Sequence, residues 1–104
     1  MQTYIEDIGK HAGKDITIKG WLYNKRSSGK IRFMLVRDGT GVVQSVIAKD
    51  EVDERTFEAA DRITQESSLI LTGKVREDER APGGYEIVAK EIEVLQTAQE
   101  YPIT

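Results

Sequence analysis

Cysteine is absent from this chain of 104 residues, and histidine occurs once. The first absence removes any disulfide framework and any thiolate metal site. It is compatible with a reducing compartment such as the cytoplasm, which is the location expected. The second leaves His11 with no companion ligand, so imidazole-based metal or nucleophilic chemistry has no partner set and His11 reads as a surface residue. A phosphate-cradling G-x-x-x-x-G-K-[ST] stretch, a nucleophile elbow and an HExxH pair are all missing. Acids are plentiful, but they fall in runs such as Glu51–Glu54 and Arg76–Glu79, which read as solvated faces rather than paired catalytic carboxylates. No catalytic residue, cofactor or metal is therefore expected, and this chain alone is not expected to be an enzyme. The N-terminal MQTYIEDIGKHAGKD has no apolar centre of a secretory signal. No apolar run approaches membrane-spanning length, so no membrane partner is expected.

One further absence is local. Between Asp15 and Asp38 there is no acid at all, while Lys19, Lys25, Arg26, Lys30, Arg32 and Arg37 fall there. The stretch thus holds six of the fifteen cations and none of the eighteen acids, in a chain whose net charge is -3. A binding face needs local positive potential rather than a basic protein overall. Trp21, Tyr23 and Phe33 lie among those cations. A twisted ribbon carrying basic and aromatic side chains is suited to hold one nucleic-acid strand.

The length fits one domain with a single modest core. Residues 3 to 11 read as a short helix, with Thr3 and Glu6 spaced as a capping box and Ile5 and Ile8 facing a core. A first strand is expected from Asp15 to Arg26. Ile16, Ile18 and Leu22 share one face by period two, and Thr17, Lys19, Trp21 and Tyr23 the other. Gly20 in its middle marks a bulge or sharp coil that lets one long strand serve two sheets. Trp21, a large aromatic beside that bend, is expected in the core despite the alternation. A second strand from Lys30 to Arg37 has partly apolar faces on both sides, Ile31, Phe33, Leu35 and Arg37 against Arg32, Met34 and Val36. Periodicity does not say which is inside.

Asp38-Gly39-Thr40-Gly41 is a hairpin turn whose glycines supply positive φ. A third strand runs from Val42 to Ala48. A helix follows, with Asp50 as N-cap, acids in its first turn, and Val52, Phe57, Ala60 and Ile63 as its apolar stripe. That acidic start would repel phosphate, which makes the helix a lid rather than a reader. Strand four is expected from Ser68 to Arg76, a charged hairpin loop from Arg76 to Gly84, and strand five from Tyr85 to Leu95. The order is that of an all-β fold with short helices: a five-stranded Greek-key OB-fold barrel, a helix between strands 3 and 4, and a short N-terminal helix. Its binding face is built on strands two and three, flanked by the loops between strands one and two and between four and five.

The motifs GWLYNKRSSGKIRF (20–33), RDGTGVVQ (37–44), TGKVREDERAPGGYEI (72–87) and the closing EYPIT resemble one family. They are similar to the N-terminal anticodon-binding domain of class IIb aminoacyl-tRNA synthetases, and within it most like the bacterial asparaginyl branch. The parent family is an ATP-dependent ligase. The resemblance implies an anticodon-binding domain over residues 1–98 and, in 99–104, the start of a linker to an absent catalytic domain. It implies a tRNA anticodon loop as partner, and a homodimer in the parent context.

The same resemblance implies roles for single residues. Phe33 matches the aromatic that stacks on the central uracil of the anticodon, and Gln44 the glutamine that hydrogen-bonds that base. Arg26 matches an arginine that contacts the anticodon loop, and Glu86 an acid that touches another anticodon base. Lys30 and the 76–84 loop are expected to hold backbone or outer bases. Arg32 departs from the pattern, in which an apolar residue is expected, and is read either at a barrel mouth or on a phosphate. The physics of the pair agrees: a rigidly held ring is a stacking platform, and an amide carries a donor and an acceptor for a base edge. Two other readings compete. One is a sequence-tolerant single-strand binder, and the other a non-catalytic dimer or scaffold module.

Overall fold

The computed structural model describes residues 2–96, so the expected linker at 99–104 lies outside the described residues. Five strands run Asp15–Ser28 (β1), Ile31–Arg37 (β2), Val42–Ala48 (β3), Ser68–Glu77 (β4) and Tyr85–Gln96 (β5), with one α-helix, Glu54–Arg62 (α1), between β3 and β4. They close into a barrel in the order β1-β2-β3-β5-β4. Only β3 and β5 pair parallel; the other neighbours are antiparallel. This is the five-stranded barrel expected, with its helix in the expected place.

β1 is the strand that makes closure possible. Its first half, Asp15 to Trp21, pairs with β4, and its second half, Trp21 to Ser28, pairs with β2. The hand-over falls at Gly20–Trp21. A Cβ on Gly20 would lie 2.4 Å from the carbonyl oxygen of Arg37, so only glycine lets β2 approach there. The bulge itself comes later, between Leu22 and Asn24.

The alternation read from β1 is obeyed up to the bulge after Leu22, which then brings Asn24 and Arg26 to the outer face. Ile16, Ile18 and Leu22 point inward, where they meet Met34 and Val36 of β2, Val43 and Ile47 of β3, Leu69, Leu71 and Val75 of β4, and Ile87 of β5. The ambiguity of β2 is thereby resolved, with Met34 and Val36 inside and Phe33 and Leu35 outside. Trp21 is not core. It is 42% exposed, with the Arg37 guanidinium 5.7 Å from its ring. Strand period outranks side-chain size: an inward Trp21 would have turned Leu22 outward.

Two plugs close the barrel at opposite ends of β2. At the Arg37 end, Ile5 and Ile8 of a 3-10 helix, Ile5–His11, enter the core. The expected Thr3–Glu6 capping box does not form, because the N-cap position is Tyr4 and Thr3 is buried with no partner for its Oγ1. The DGTG turn caps this helix instead. Asp38 Oδ2 accepts from the Ile5 N–H at 2.8 Å, and Thr40 Oγ1 from the Glu6 N–H at 3.1 Å. Of the two turn glycines only Gly39 has positive φ; Gly41 gives room to Ile5, whose Cγ2 would lie 3.1 Å from a Cβ there.

At the other end α1 covers the barrel mouth with Ala60 and Ile63, flanked by Phe57. Its N-cap is Asp53, which accepts from the Thr56 N–H at 2.7 Å, rather than Asp50. Asp50 falls in the turn after β3, where Glu51 N–H bonds back to the Ala48 carbonyl, so the helix begins four residues later.

Candidate nucleic-acid interface

One rung of the barrel organises the outer face. Asn24 of β1 stands opposite Leu35 of β2, Leu35 opposite Gln44 of β3, Gln44 beside Glu86 of β5, and Glu86 opposite Arg76 of β4. The next rung sets Arg26 opposite Phe33 and Phe33 opposite Val46. Residues in register on a sheet project to one side. The alternation that buries Met34 and Ser45 therefore turns Phe33 and Gln44 outward on adjacent strands.

Four of the five residues singled out from sequence meet here. Arg26, Phe33, Gln44 and Glu86 line one open depression of about 420 Å3, together with Ile31, Val46, Arg76, Asp78 and Arg80. That volume lies within the range of small-ligand sites. A smaller hollow of about 70 Å3 shares Arg26, Phe33 and Gln44 and adds Asn24, Lys25 and Leu35. Lys30 is not among the lining residues of either. It is exposed in the β1–β2 turn, where its carbonyl accepts from the Lys49 N–H.

The polar groups of the depression are tied to one another. The Arg26 guanidinium lies 4.2 Å from the centroid of the Phe33 ring, a cation–π contact across the strand pair. Gln44 Nε2 donates to Glu86 Oε2 at 3.2 Å. The Glu86 side chain is 2% exposed, and its Oε1 accepts from Arg76 Nε at 2.7 Å and also from Arg76 Nη2. A buried carboxylate needs such pairing, since an unpaired one would be driven to neutralise. From sequence Arg76 is the last residue of strand four and the first of the 76–84 loop expected to hold backbone or outer bases, with no partner assigned to it. Its signal was the hairpin itself: Arg76 and Glu86 lie five residues either side of Ala81, the cross-strand spacing for opposite charges.

The acid-free stretch supplies less free charge than its composition suggests. Lys25 Nζ donates to the Asp61 carbonyl at 2.6 Å, at the C-terminal end of α1. Arg32 settles at the barrel mouth, 16% exposed, with Nε on Asp61 Oδ1 at 2.9 Å and its guanidinium over Phe57. The Arg32 guanidinium holds the Asp61 carboxyl below the ordinary carboxylate value of 3.8. Arg37 pairs with Glu66. Lys25, Arg32 and Arg37 therefore secure α1 and the segment after it, while the side chains of Lys19, Arg26 and Lys30 have neither an ion pair nor a hydrogen bond to that segment among the described residues. Of these, Arg26 stands at the depression.

A closed barrel of this strand order, with an aromatic, an amide and a cation on the outer face of β1–β3, defines an OB-fold nucleic acid binding domain. The chain belongs to that family, whose tRNA anticodon profile matches residues 16–95. Within it the chain resembles asparagine–tRNA ligases. It is 56% identical over 100 residues to the asparagine–tRNA ligase of Pelotomaculum thermopropionicum, a match covering 96% of this chain and 23% of that protein. The structure of asparaginyl-tRNA synthetase from Pyrococcus horikoshii complexed with asparaginyl-adenylate superposes with a TM-score of 0.89 at 42% identity, over 100% of this chain and 24% of the other. The chain thus spans about a quarter of the length of these synthetases. An OBody bound to hen egg-white lysozyme has the same fold, with a TM-score of 0.82 at 20% identity over 92% of this chain and 95% of that one.

Proposed function

We propose that this chain binds the anticodon loop of a tRNA and reads its central base as uracil. Phe33 stacks on that base, Gln44 hydrogen-bonds its edge, and Arg26 meets the loop's phosphates. Lys30 adds a backbone contact further along the β1–β2 turn, and Glu86 belongs to the same site. The observation that carries the reading is the outward pair Phe33 and Gln44 on adjacent strands, both lining one depression. Sequence-specific RNA recognition favours single-stranded loops, whose bases can be splayed onto aromatic side chains. Stacking on a ring contributes about 1–3 kcal/mol per base. A site built to hydrogen-bond one base edge leaves its own polar groups unpaired on the wrong base, which supplies discrimination.

In this reading the chain positions tRNA and does not itself aminoacylate. The ligase chemistry, the homodimer and the cytoplasmic setting belong to the longer synthetase of which such a domain is part. Among the described residues no helix is long and apolar enough to cross a membrane.

The test is a titration with an anticodon stem-loop carrying uracil at the central position and with one changed there. The expected result is tighter binding of the uracil loop, weakening as salt rises. Equal affinity for both would leave only a sequence-tolerant single-strand binder. No binding at low salt would leave a scaffold.

A further inference from the structure

We infer that Glu86 is a positioning residue: it fixes which way the Gln44 amide points, and so makes that amide select uracil over cytosine. The inference rests on the reading in which Gln44 meets the central base.

A glutamine amide is ambidextrous. Turned one way it presents its oxygen to a ligand, and turned the other its NH2 group. The choice matters for pyrimidines, because N3 of uracil carries a hydrogen and donates, whereas N3 of cytosine is bare and accepts. A freely turning amide would satisfy either. Gln44 is not free to turn. Its Nε2 faces Glu86 Oε2 at 3.2 Å, and a carboxylate can only accept, so the opposite orientation would set two acceptors against each other. The carboxylate cannot swing aside to relieve this. It is 2% exposed, and its other oxygen is gripped by Arg76, whose Nε lies 2.7 Å away.

Arg76, Glu86 and Gln44 lie in one row across β4, β5 and β3, so the constraint is anchored in three strands. Among the described residues nothing donates to Gln44 Oε1. The locked amide therefore offers an acceptor to a base held in place by stacking on Phe33. Uracil N3–H fits it, while cytosine N3 opposes it. The flip that would rescue cytosine is barred by Glu86. The specificity of an uncharged reader is thus set by a buried charge that need not touch the base.

Glu86→Gln keeps the volume, but with its one oxygen held by Arg76 it turns an NH2 toward Gln44, so the acceptor that fixes the Gln44 amide is replaced by a donor. Binding of stem-loops with uracil or cytosine at the central position is measured for both proteins at one salt concentration. The Gln44 side-chain NH2 is followed by 15N relaxation in the free proteins. In the wild type that amide is rigid and the uracil loop binds tighter. In Glu86→Gln the Gln44 amide turns over to present its NH2 to the base, and the uracil-to-cytosine ratio falls by about tenfold, mainly through better binding of the cytosine loop.

A wild type that does not separate the two loops overturns the base-reading proposal before any variant is made. A wild type that separates them, with a ratio unchanged in Glu86→Gln or with both loops weakened equally, overturns the role of Glu86 alone. A mobile Gln44 amide in the free wild type overturns it too, and needs no variant to fold.

Discussion

The Arg26 guanidinium covers the Phe33 ring at 4.2 Å, and the two residues are direct cross-strand partners on β1 and β2. An aromatic platform on the outer face is thereby paired with a cation, while the inward neighbours of Phe33 build the core. Phe33→Ala should leave the fold intact, because Met34 and Val36 rather than Phe33 fill the barrel. Affinity for the uracil stem-loop should fall by about 1–3 kcal/mol. Circular dichroism alongside the titration checks both halves. A protein that unfolds would place Phe33 in the core, against its outward position.

Arg26 carries the electrostatic share of the site. Arg26→Gln should weaken binding to the uracil and cytosine loops alike. The slope of log affinity against log salt should drop by about 0.7, the value for one phosphate on a single strand. Measuring affinity at four or five salt concentrations gives the slope. A lower affinity with an unchanged slope would mean that Arg26 acts only through the Phe33 ring. Lys25→Gln, by contrast, removes a donor to the end of α1 and should lower stability more than the salt slope.

Trp21 separates two physical accounts of β1. As an outward residue, Trp21→Ala should cost about 1 kcal/mol or less, the loss of partial burial and of the Arg37 contact. A core tryptophan would cost about 3–5 kcal/mol. Urea unfolding at neutral pH decides between them.

Asp38 ties the β2–β3 turn to the N-terminal 3-10 helix. Burial raises its carboxyl pKa, but hydrogen bonds from the Thr40 side chain and from the backbone of Ile5, Thr40 and Gly41 outweigh this and leave it below 3.8. Asp53, hydrogen-bonded by Thr56, and Asp61, bonded by Arg32, are depressed in the same direction. A depressed carboxylate stabilises the fold above its ordinary value. That contribution is lost as pH falls through the folded value, because the unfolded chain takes up its proton first. The melting temperature should therefore hold steady from neutral pH down to about 4 and decline below it. Asp38→Ala should cost about 1 kcal/mol at neutral pH, in keeping with loss of a helix cap, and should flatten the acid limb. A variant with the parent's acid limb would remove Asp38 from the cause.

Much of the fold was legible because strands advertise their period. Ile16, Ile18 and Leu22 named the inner face of β1, Asp38-Gly39 named a turn, and a helix between the third and fourth strands named the barrel. The misreadings came where a local rule met a distant competitor. Thr3 and Glu6 have capping-box spacing, but Asp38 and Thr40, more than thirty positions away in the chain, reach the helix donors first. Asp50 resembles a cap, yet Asp53 makes the bond to Thr56. Arg32 gave two readings, and its place at the barrel mouth became visible only with Asp61 and Phe57 beside it.

The sequence by itself determined that a barrel forms and which stretch is basic and aromatic, because alternation, turn chemistry and composition are properties of neighbours along the chain. Tertiary structure decided how the charge of that stretch is used. Lys25, Arg32 and Arg37 find oxygen partners from the segment 61–66, which only folding brings alongside them. It also decided that Gln44 has a fixed orientation, since the carboxylate and guanidinium that hold it arrive from β5 and β4. Composition counts charges, but their availability depends on which partners the closed barrel sets within hydrogen-bonding reach.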